Sequence, residues 1–228
     1  MQVEPLVVEA SIRSMLRGRF SVAAASPTLA TDLLFPEEIA YISRAVEKRR
    51  AEFGTARVCA RRALAELGVP PCSLVPNSDR SPRWPERVVG SISHNPHCCI
   101  VAVSNEPSVL GLGLDVESDE ALPPDTLPLI CTPRERAWLA SQAEAERGRM
   151  SKILFSAKES IYKCQYPISK TVLEFSDVTL NVDLENDTFE IADIGRPGNS
   201  WVGFQAITGR FRRVGGLVLA TAVLTGTP

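Results

Sequence analysis

Two apolar runs on either side of a turn signal set the frame of this chain. The first, Cys98 to Val103, is followed by Ser104-Asn105-Glu106-Pro107, and the second closes in Gly113-Leu114-Asp115-Val116-Glu117. Short apolar runs bounded by turn residues predict strand, turn, strand. Side chains two apart in a strand point the same way. Asp115 and Glu117 therefore share one side, while Leu114 and Val116 take the other. Two carboxylates so close repel each other unless a cation sits between them. The usual partner is a hard divalent ion with oxygen ligands, Mg²⁺ before others where phosphate is a co-ligand. An isolated Asp-x-Glu is also common on solvated strands, so the pair gains meaning only from the rest of the chain.

A length of 228 residues fits one large domain or two small ones. With 44% hydrophobic and 23% charged residues and a net charge of −2, the total argues against a dedicated nucleic-acid binder. Any anion site must then be a local basic cluster. No stretch approaches the ~20 apolar residues of a membrane span. Met1 to Pro5 lacks the basic and apolar regions of a secretion signal, so the expected location is cytoplasmic. Cys59, Cys72, Cys98, Cys99, Cys131 and Cys164 lack the density of a disulfide framework and are expected as reduced thiols. His94-Asn95-Pro96-His97-Cys98 holds both histidines, but no second Cys/His pair completes a zinc site.

Residues 1–35 show short apolar runs without a clear period. From Pro36 the pattern is helical: Ile39, Ile42, Val46, Phe53, Ala56, Ala60, Ala63 and Leu67 recur at three- and four-residue steps. Gly54 is a place where this helix could divide, and Gly68 before Pro70-Pro71 ends it. Its polar side is basic, with Lys48, Arg49, Arg50, Arg57, Arg61 and Arg62. That side reads as a solvated arginine face or as an anion cradle, since guanidinium forks match phosphate oxygens. A proline-rich connector from Pro76 to Pro85 leads to Val88-Val89-Gly90-Ser91-Ile92-Ser93-His94, where a hydroxyl and an imidazole end an apolar run.

Thr132-Pro133-Arg134-Glu135 is a helix start with a capping box, and the helix is expected to run through Trp138 and Leu139 into the charged stretch Glu144 to Arg149. On a helix over Ser151 to Gln165, Ile153, Leu154, Ala157, Ile161 and Cys164 form an apolar stripe. Lys152, Ser156, Glu159 and Lys163 lie on one different face. From Thr171 the period becomes two, predicting strands at Val172–Phe175, Val178–Val182, Phe189–Ile191, Trp201–Thr208 and Leu217–Leu224, with a hairpin turn at Asn186-Asp187. The last strand is nearly all apolar and is expected to be central. The class is α+β with largely antiparallel sheets.

Gly113-Leu114-Asp115-Val116-Glu117 and Phe155-Ser156-Ala157-Lys158-Glu159-Ser160-Ile161-Tyr162-Lys163 together resemble the two signatures of 4′-phosphopantetheinyl transferases, G-[IV]-D-x-E and [FW]-[SCT]-x-K-E-x-x-x-K. Three further stretches resemble the longer, Sfp-type branch, which includes the enterobactin-pathway and PptT-like enzymes: Lys48-Arg49-Arg50…Arg57…Arg61, Pro82-Arg83-Trp84-Pro85, and Gly90-Ser91-Ile92-Ser93-His94. Leu114 stands where Ile or Val is commoner. Pro76 lies near the place of a lysine that binds coenzyme A in some members, leaving Arg80 to supply that charge.

The resemblance implies an α/β pseudodimer of two similar subdomains, 1–107 and 108–228, with coenzyme A in the cleft between them. It implies a holo-acyl-carrier-protein synthase reaction. A carrier-protein serine attacks the pantetheine-side phosphorus of coenzyme A, and 3′,5′-ADP leaves. In that scheme Asp115, Glu117 and Glu159 hold Mg²⁺, and Glu159 takes the serine proton. Lys163 offsets charge on the bridging oxygen, and Lys158 pairs with phosphate. Arg49 and Arg57 meet the 3′-phosphate, with Ser93 and His94 near the coenzyme A phosphates. The implied partners are acyl and peptidyl carrier domains of polyketide, peptide or siderophore synthases, docking around Pro123 to Arg149. Neither nucleic acid nor membrane is implied, and the length suits a monomer. Two rival readings fit the residues less well. A Mg²⁺-dependent nuclease places its lysine two residues after the glutamate, unlike Lys158 or Lys163; a binding module without activity would not need all three acids and Lys163.

Overall fold

The computed structural model describes residues 3–29, 31–195 and 202–226. The chain opens with helix α1 (Pro5–Met15), whose Val8, Ile12 and Met15 are buried. Next come β1 (Ser21–Ala25), α2 (Pro36–Ile42) and α3 (Glu47–Glu66). With β2 (Val89–His94) and β3 (Cys99–Ser104), β1 forms a three-stranded antiparallel sheet in the order β1-β3-β2. Helix α3 packs Cys59, Ala60, Ala63 and Leu64 against Ala23, Val101 and Val103 of that sheet. The helix does not divide at Gly54, which lies buried inside α3. The interruption falls between α2 and α3, where Val46 takes extended backbone and caps α3. Gly68, at φ +78°, ends the helix, and the N–H groups of Gly68 and Val69 return to the carbonyls of Ala65 and Leu64.

The second sheet begins at β4 (Val109–Ser118) and runs β4-β8-β7-β6-β5, all antiparallel, with β5 (Val178–Asp183), β6 (Thr188–Ile194), β7 (Ile207–Val214) and β8 (Leu217–Thr225). Between β4 and β5 lie α4 (Leu127–Ile130), α5 (Pro133–Ser141) and α6 (Glu144–Ser169). The capping box forms as the sequence requires: the Thr132 hydroxyl accepts from Glu135 N–H at 3.4 Å, and Glu135 Oε2 accepts from Thr132 N–H at 2.8 Å. Thr132→Ala is expected to lower stability by about 1 kcal/mol, seen as a fall in Tm of about 2–4 °C by thermal denaturation. An unchanged Tm would show the cap to be dispensable.

Three sequence expectations are corrected here. The helix begun at Thr132 stops at Ser141, and the charged stretch from Glu144 instead forms the first turns of α6. Val172 to Phe175 is not a strand: residues 172–174 are irregular, Phe175 opens a 3₁₀ turn (Phe175–Asp177), and its ring packs on Phe155 at 5.3 Å between centroids. Of the strand expected over Trp201–Thr208, Trp201 lies outside the described residues, Val202–Ala206 is a short 3₁₀ turn, and only Ile207 onward is extended. Strand β8 is interior, as its apolar run predicted.

Helix α6 covers one face of the second sheet, with Ile153, Leu154, Ala157, Ile161 and Cys164 meeting Phe189, Ile207, Phe211, Ala220 and Ala222. Helix α1 covers the other face near β4 and β8, so Val8, Ile12 and Met15 join Leu112, Leu114, Val116 and Leu219 in one cluster. This second cluster also takes in Ile100 and Ala102 of β3, so the apolar interior is continuous between the sheets. Strands β2 and β4 meet through hydroxyls: Ser91 Oγ accepts from Leu114 N–H at 3.0 Å and Ser93 Oγ from Val116 N–H at 3.2 Å. Among the described residues no helix is long and apolar enough to cross a membrane. All six cysteines are free thiols.

Candidate active site

The junction of β2, β4 and α6 converges on one carboxylate. Asp115 is 3% exposed. Its Oδ1 accepts from Lys163 Nζ at 2.7 Å and from Ser93 Oγ at 2.9 Å, and its Oδ2 accepts from Ser156 Oγ at 2.9 Å. The strand alternation that buries Leu114 and Val116 on the α1 side turns Asp115 and Glu117 the other way. Lys152, Ser156, Glu159 and Lys163 share the α6 face that meets them. Lys163 Nζ lies 3.8 Å from Glu159 Oε2, and Lys152 Nζ lies 3.6 Å from Glu117 Oε2.

These carboxylates crowd one another. Burial pushes the Glu117 carboxyl up, Asp115 adds to the effect, and Lys152 and Lys163 oppose it. Burial likewise pushes the Glu159 carboxyl up, with Lys163 opposing and Asp115 adding. Among the described residues no three His, Cys, Asp or Glu side chains form a group that could hold a metal ion. Asp115, Glu117 and Glu159 thus share a region but do not close on one point, because Lys163 bridges Asp115 and Glu159 and Lys152 neutralises Glu117.

Beside this centre, a cleft of about 300 Å³ separates α3 and the Pro76–Trp84 connector from α6. Arg49, Arg57, Arg80 and His94 line one side, and Tyr162, Lys163 and Tyr166 the other. Tyr162 and Tyr166 stack at 5.2 Å. A larger groove of about 580 Å³ on the far face of the second sheet, lined by Arg17, Glu190, Thr208 and Arg210, bears none of the site residues. The chemistry therefore points to the smaller cleft.

His94 Nε2 stands 3.1 Å from an Nη1 of Arg49, and His94 Nδ1 lies 3.7 Å from Glu52 Oε2. Burial lowers the imidazole pKa; Glu52 opposes this, while Arg49, Lys163 and Lys48 reinforce it. A guanidinium can only donate, so Nε2 accepts from Arg49 and the ring proton belongs on Nδ1, the side of Glu52. Arg57 is buried, stacked on the Phe53 ring at 3.9 Å, with its Nε donating to Leu74 O at 2.7 Å. Burial pulls its pKa down to about 10, against the pull of Glu38, so it stays cationic at neutral pH. Arg80 adopts a left-handed backbone (φ 66°) at the tip of the connector. Next to it, Asp79 accepts from Ser81 and lies 3.1 Å from Lys170 Nζ, linking the connector to the end of α6.

The basic face of α3 divides by role. Arg61 pairs with the fully buried Glu38 at 2.9 Å, and Arg62 pairs with Glu9, so these two brace the fold. Arg49 and Arg57 line the cleft. Lys158 does not. The expectation that it meets phosphate is corrected, because its ammonium is buried and donates to Glu135 Oε2 at 2.6 Å, Ile130 O at 2.8 Å and Phe175 O at 2.8 Å. All three of its protons are engaged. Sequence reasoning gave no role to Ser91 or Ser156. Both were within reach of the same patterns, Ser91 two residues from Ser93 in a strand and Ser156 three residues before Glu159 on a helix.

Comparison with known proteins agrees with this geometry. Residues 37–104 match the family model of the 4′-phosphopantetheinyl transferase N-terminal domain, and residues 111–214 match that of the 4′-phosphopantetheinyl transferase superfamily. The chain is 40% identical over 206 residues to the 4′-phosphopantetheinyl transferase Svp of Streptomyces mobaraensis, covering 89% of this chain and 83% of that one. It is 35% identical to PptT of Mycobacterium tuberculosis, covering 83% of this chain and 85% of that one. It is 30% identical to enterobactin synthase component D of Escherichia coli strain K12, covering 70% and 79%. With both halves of the chain matched and relatives 40% and 35% identical over most of their length, the chain belongs to the 4′-phosphopantetheinyl transferase superfamily.

Proposed function

We propose that the cleft between residues 1–107 and 108–228 seats coenzyme A and that the chain moves its phosphopantetheine arm onto a serine of an acyl or peptidyl carrier domain. The observation that carries this reading is the Asp115–Lys163–Glu159 cluster opening beside a cleft lined by Arg49, Arg57 and Arg80. Guanidinium forks suit the 3′-phosphate, and Arg80 extends the cationic wall. His94 lines the cleft and the neighbouring Ser93 bonds Asp115, which supports seating the diphosphate between them. Glu159 also borders a slot of about 190 Å³, lined by Ile161, Tyr162, Leu173 and Phe175 with Lys158 and Glu174, which supports a mostly apolar path for the uncharged pantetheine arm.

Asp115, Glu117 and Glu159 are all oxygen donors, the kind Mg²⁺ takes, and would hold it once Lys163 and Lys152, which pair with them here, give way to the ion. Their crowding, felt as raised Glu117 and Glu159 pKa values, is a charge excess that a divalent ion relieves. When bound, the ion neutralises the diphosphate and the developing charge of the transition state. The chain's own residues do the rest. Ser93 and Ser156 fix the Asp115 carboxylate through its two oxygens. Glu159 accepts the proton of the carrier serine as its oxygen bonds to phosphorus. The bond from phosphorus to the bridging oxygen breaks, Lys163 offsets the charge on that oxygen, and 3′,5′-ADP departs.

Both walls of the cleft come from one chain, which supports action as a monomer. The net charge of −2 gives no general attraction to nucleic acid, and with free thiols throughout it is consistent with a cytoplasmic setting away from membranes. The carriers served are those of polyketide, peptide or siderophore synthases. Incubating an apo carrier domain with coenzyme A and Mg²⁺ and weighing it tests the reading: a mass gain of one phosphopantetheine is expected, and coenzyme A binding with no mass gain would refute it. Arg57→Ala is expected to weaken coenzyme A binding by about 1.5–3 kcal/mol, the size of a charge-assisted hydrogen bond. Titration calorimetry should show a smaller loss for 3′-dephospho-coenzyme A; an equal loss would remove Arg57 from the 3′-phosphate.

A further inference from the structure

The buried ion pair next to Glu159 has no role in the scheme above. Lys158 and Glu135 have side chains only 2% and 1% exposed. Lys158 Nζ ties the carbonyl of Ile130, at the end of α4, and the carbonyl of Phe175, before β5, to the middle of α6. Glu135 extends the knot: its Oε2 also accepts from Thr132 N–H, and its Oε1 accepts from Leu180 N–H at 2.9 Å in β5. One pair of side chains therefore joins α4, α5, α6, β5 and the turn at Phe175.

Isolating a buried charge pair from water gains little stability, and well-packed apolar residues often do as well. The geometry points to a different use. Lys158 directly precedes Glu159: both border the slot, but the Glu159 carboxylate lies 3.8 Å from Lys163 Nζ while the Lys158 ammonium ends in the knot. The carbonyl it grips belongs to Phe175, which with Leu173 walls the slot beside Glu159. On the opposite side, Ser156 and Lys163 fix the same helix to Asp115.

We propose that Lys158, through Glu135, is a positioning residue that sets Glu159 against the reacting phosphorus and fixes the wall of the pantetheine slot, and that it is not a phosphate ligand. The inference rests on the transferase reading above and deepens it. It separates two functions within one signature motif: Lys163 meets the reacting groups, while Lys158 holds the scaffold that aims Glu159. The α4–α5 segment, which carries the exposed Leu129, is bound to the catalytic helix by the same knot.

The test uses the full chain with Lys158→Met and the charge-free double variant Lys158→Met/Glu135→Gln. Binding of coenzyme A and of 3′,5′-ADP is measured by calorimetry, and single-turnover transfer to an apo carrier is measured well below each Tm. Both variants are expected to bind 3′,5′-ADP and coenzyme A within about two-fold of wild type, because their phosphates do not touch Lys158, yet to transfer at least ten-fold more slowly. The double variant, with no lone buried charge, is expected to regain thermal stability without regaining rate, and it carries the measurement if the single variant does not fold. Affinity for 3′,5′-ADP falling ten-fold or more would make Lys158 a phosphate ligand. A wild-type transfer rate in the folded double variant would make the pair purely structural. Either result overturns the proposal. Failure of the wild-type chain itself to modify the carrier would instead overturn the transferase reading.

Discussion

Glu159→Gln is expected to cut turnover by about 10²–10⁴, the range for loss of a general base. The substitution keeps the shape of the side chain and removes its ability to take a proton. Glu159 is partly exposed where it borders the slot, and its ion-pair partner Lys163 lies 3.8 Å away and also pairs with Asp115, so no buried charge is stranded by the change. Tm should hardly move. Coenzyme A affinity without metal should also be nearly unchanged, since Arg49, Arg57 and Arg80 line the nucleotide end of the cleft and do not depend on Glu159. The loss therefore belongs in kcat, measured by carrier modification at saturating coenzyme A. Turnover near the wild-type rate would remove Glu159 from proton transfer.

The second large effect is structural in origin. A Cβ on Gly113 would lie 1.8 Å from the carbonyl oxygen of Ser160 and 2.7 Å from the amide nitrogen of Cys164. Both are backbone atoms of α6, so neither can rotate away. Gly113→Ala must push β4 off the helix, at about 3 kcal/mol, the upper end for overpacking. For a chain of this length that is a fall in Tm of about 6–12 °C. The same displacement moves Asp115 relative to Ser156 and Lys163, whose contacts with it are 2.9 and 2.7 Å. Activity should therefore fall even at temperatures where the variant stays folded. A variant with wild-type Tm and activity would show that β4 and α6 are further apart than described. The glycine of the motif is thus explained by close approach, ahead of any contact with ligand.

Much of this site was legible because strands and helices have fixed periods. Period two placed Asp115 and Glu117 on one side of β4, and period 3.6 placed Lys152, Ser156, Glu159 and Lys163 on one side of α6. Periodicity does not say which faces meet, and that came from the resemblance to a known family and then from the structure. The errors have a common origin in contacts distant in sequence. Lys158 sits on the same helix as Glu159 and Lys163, and nothing local shows that Glu135, twenty-three residues earlier, claims its ammonium. Nor does anything local tell which arginines of α3 brace the fold, since Arg61 and Arg62 are claimed by Glu38 and Glu9. Helix boundaries failed for a related reason: Gly54 is weak helix material, but close burial against the first sheet holds α3 together there. Residues 1–35 gave little because α1 packs not only on β1 but also in one apolar cluster with β4 and β8, nearly a hundred residues and more away.

The proposed function requires carboxylates from β4 and α6 to hold one divalent ion together. Mn²⁺ is a paramagnetic substitute for Mg²⁺, and its binding to the chain in the presence of coenzyme A can be followed by electron paramagnetic resonance. One tight site per chain is predicted for wild type, weakened at least ten-fold in each of Asp115→Asn, Glu117→Gln and Glu159→Gln. Undiminished Mn²⁺ affinity in Glu159→Gln would contradict the account, because the helix and the strand would then not share the ion.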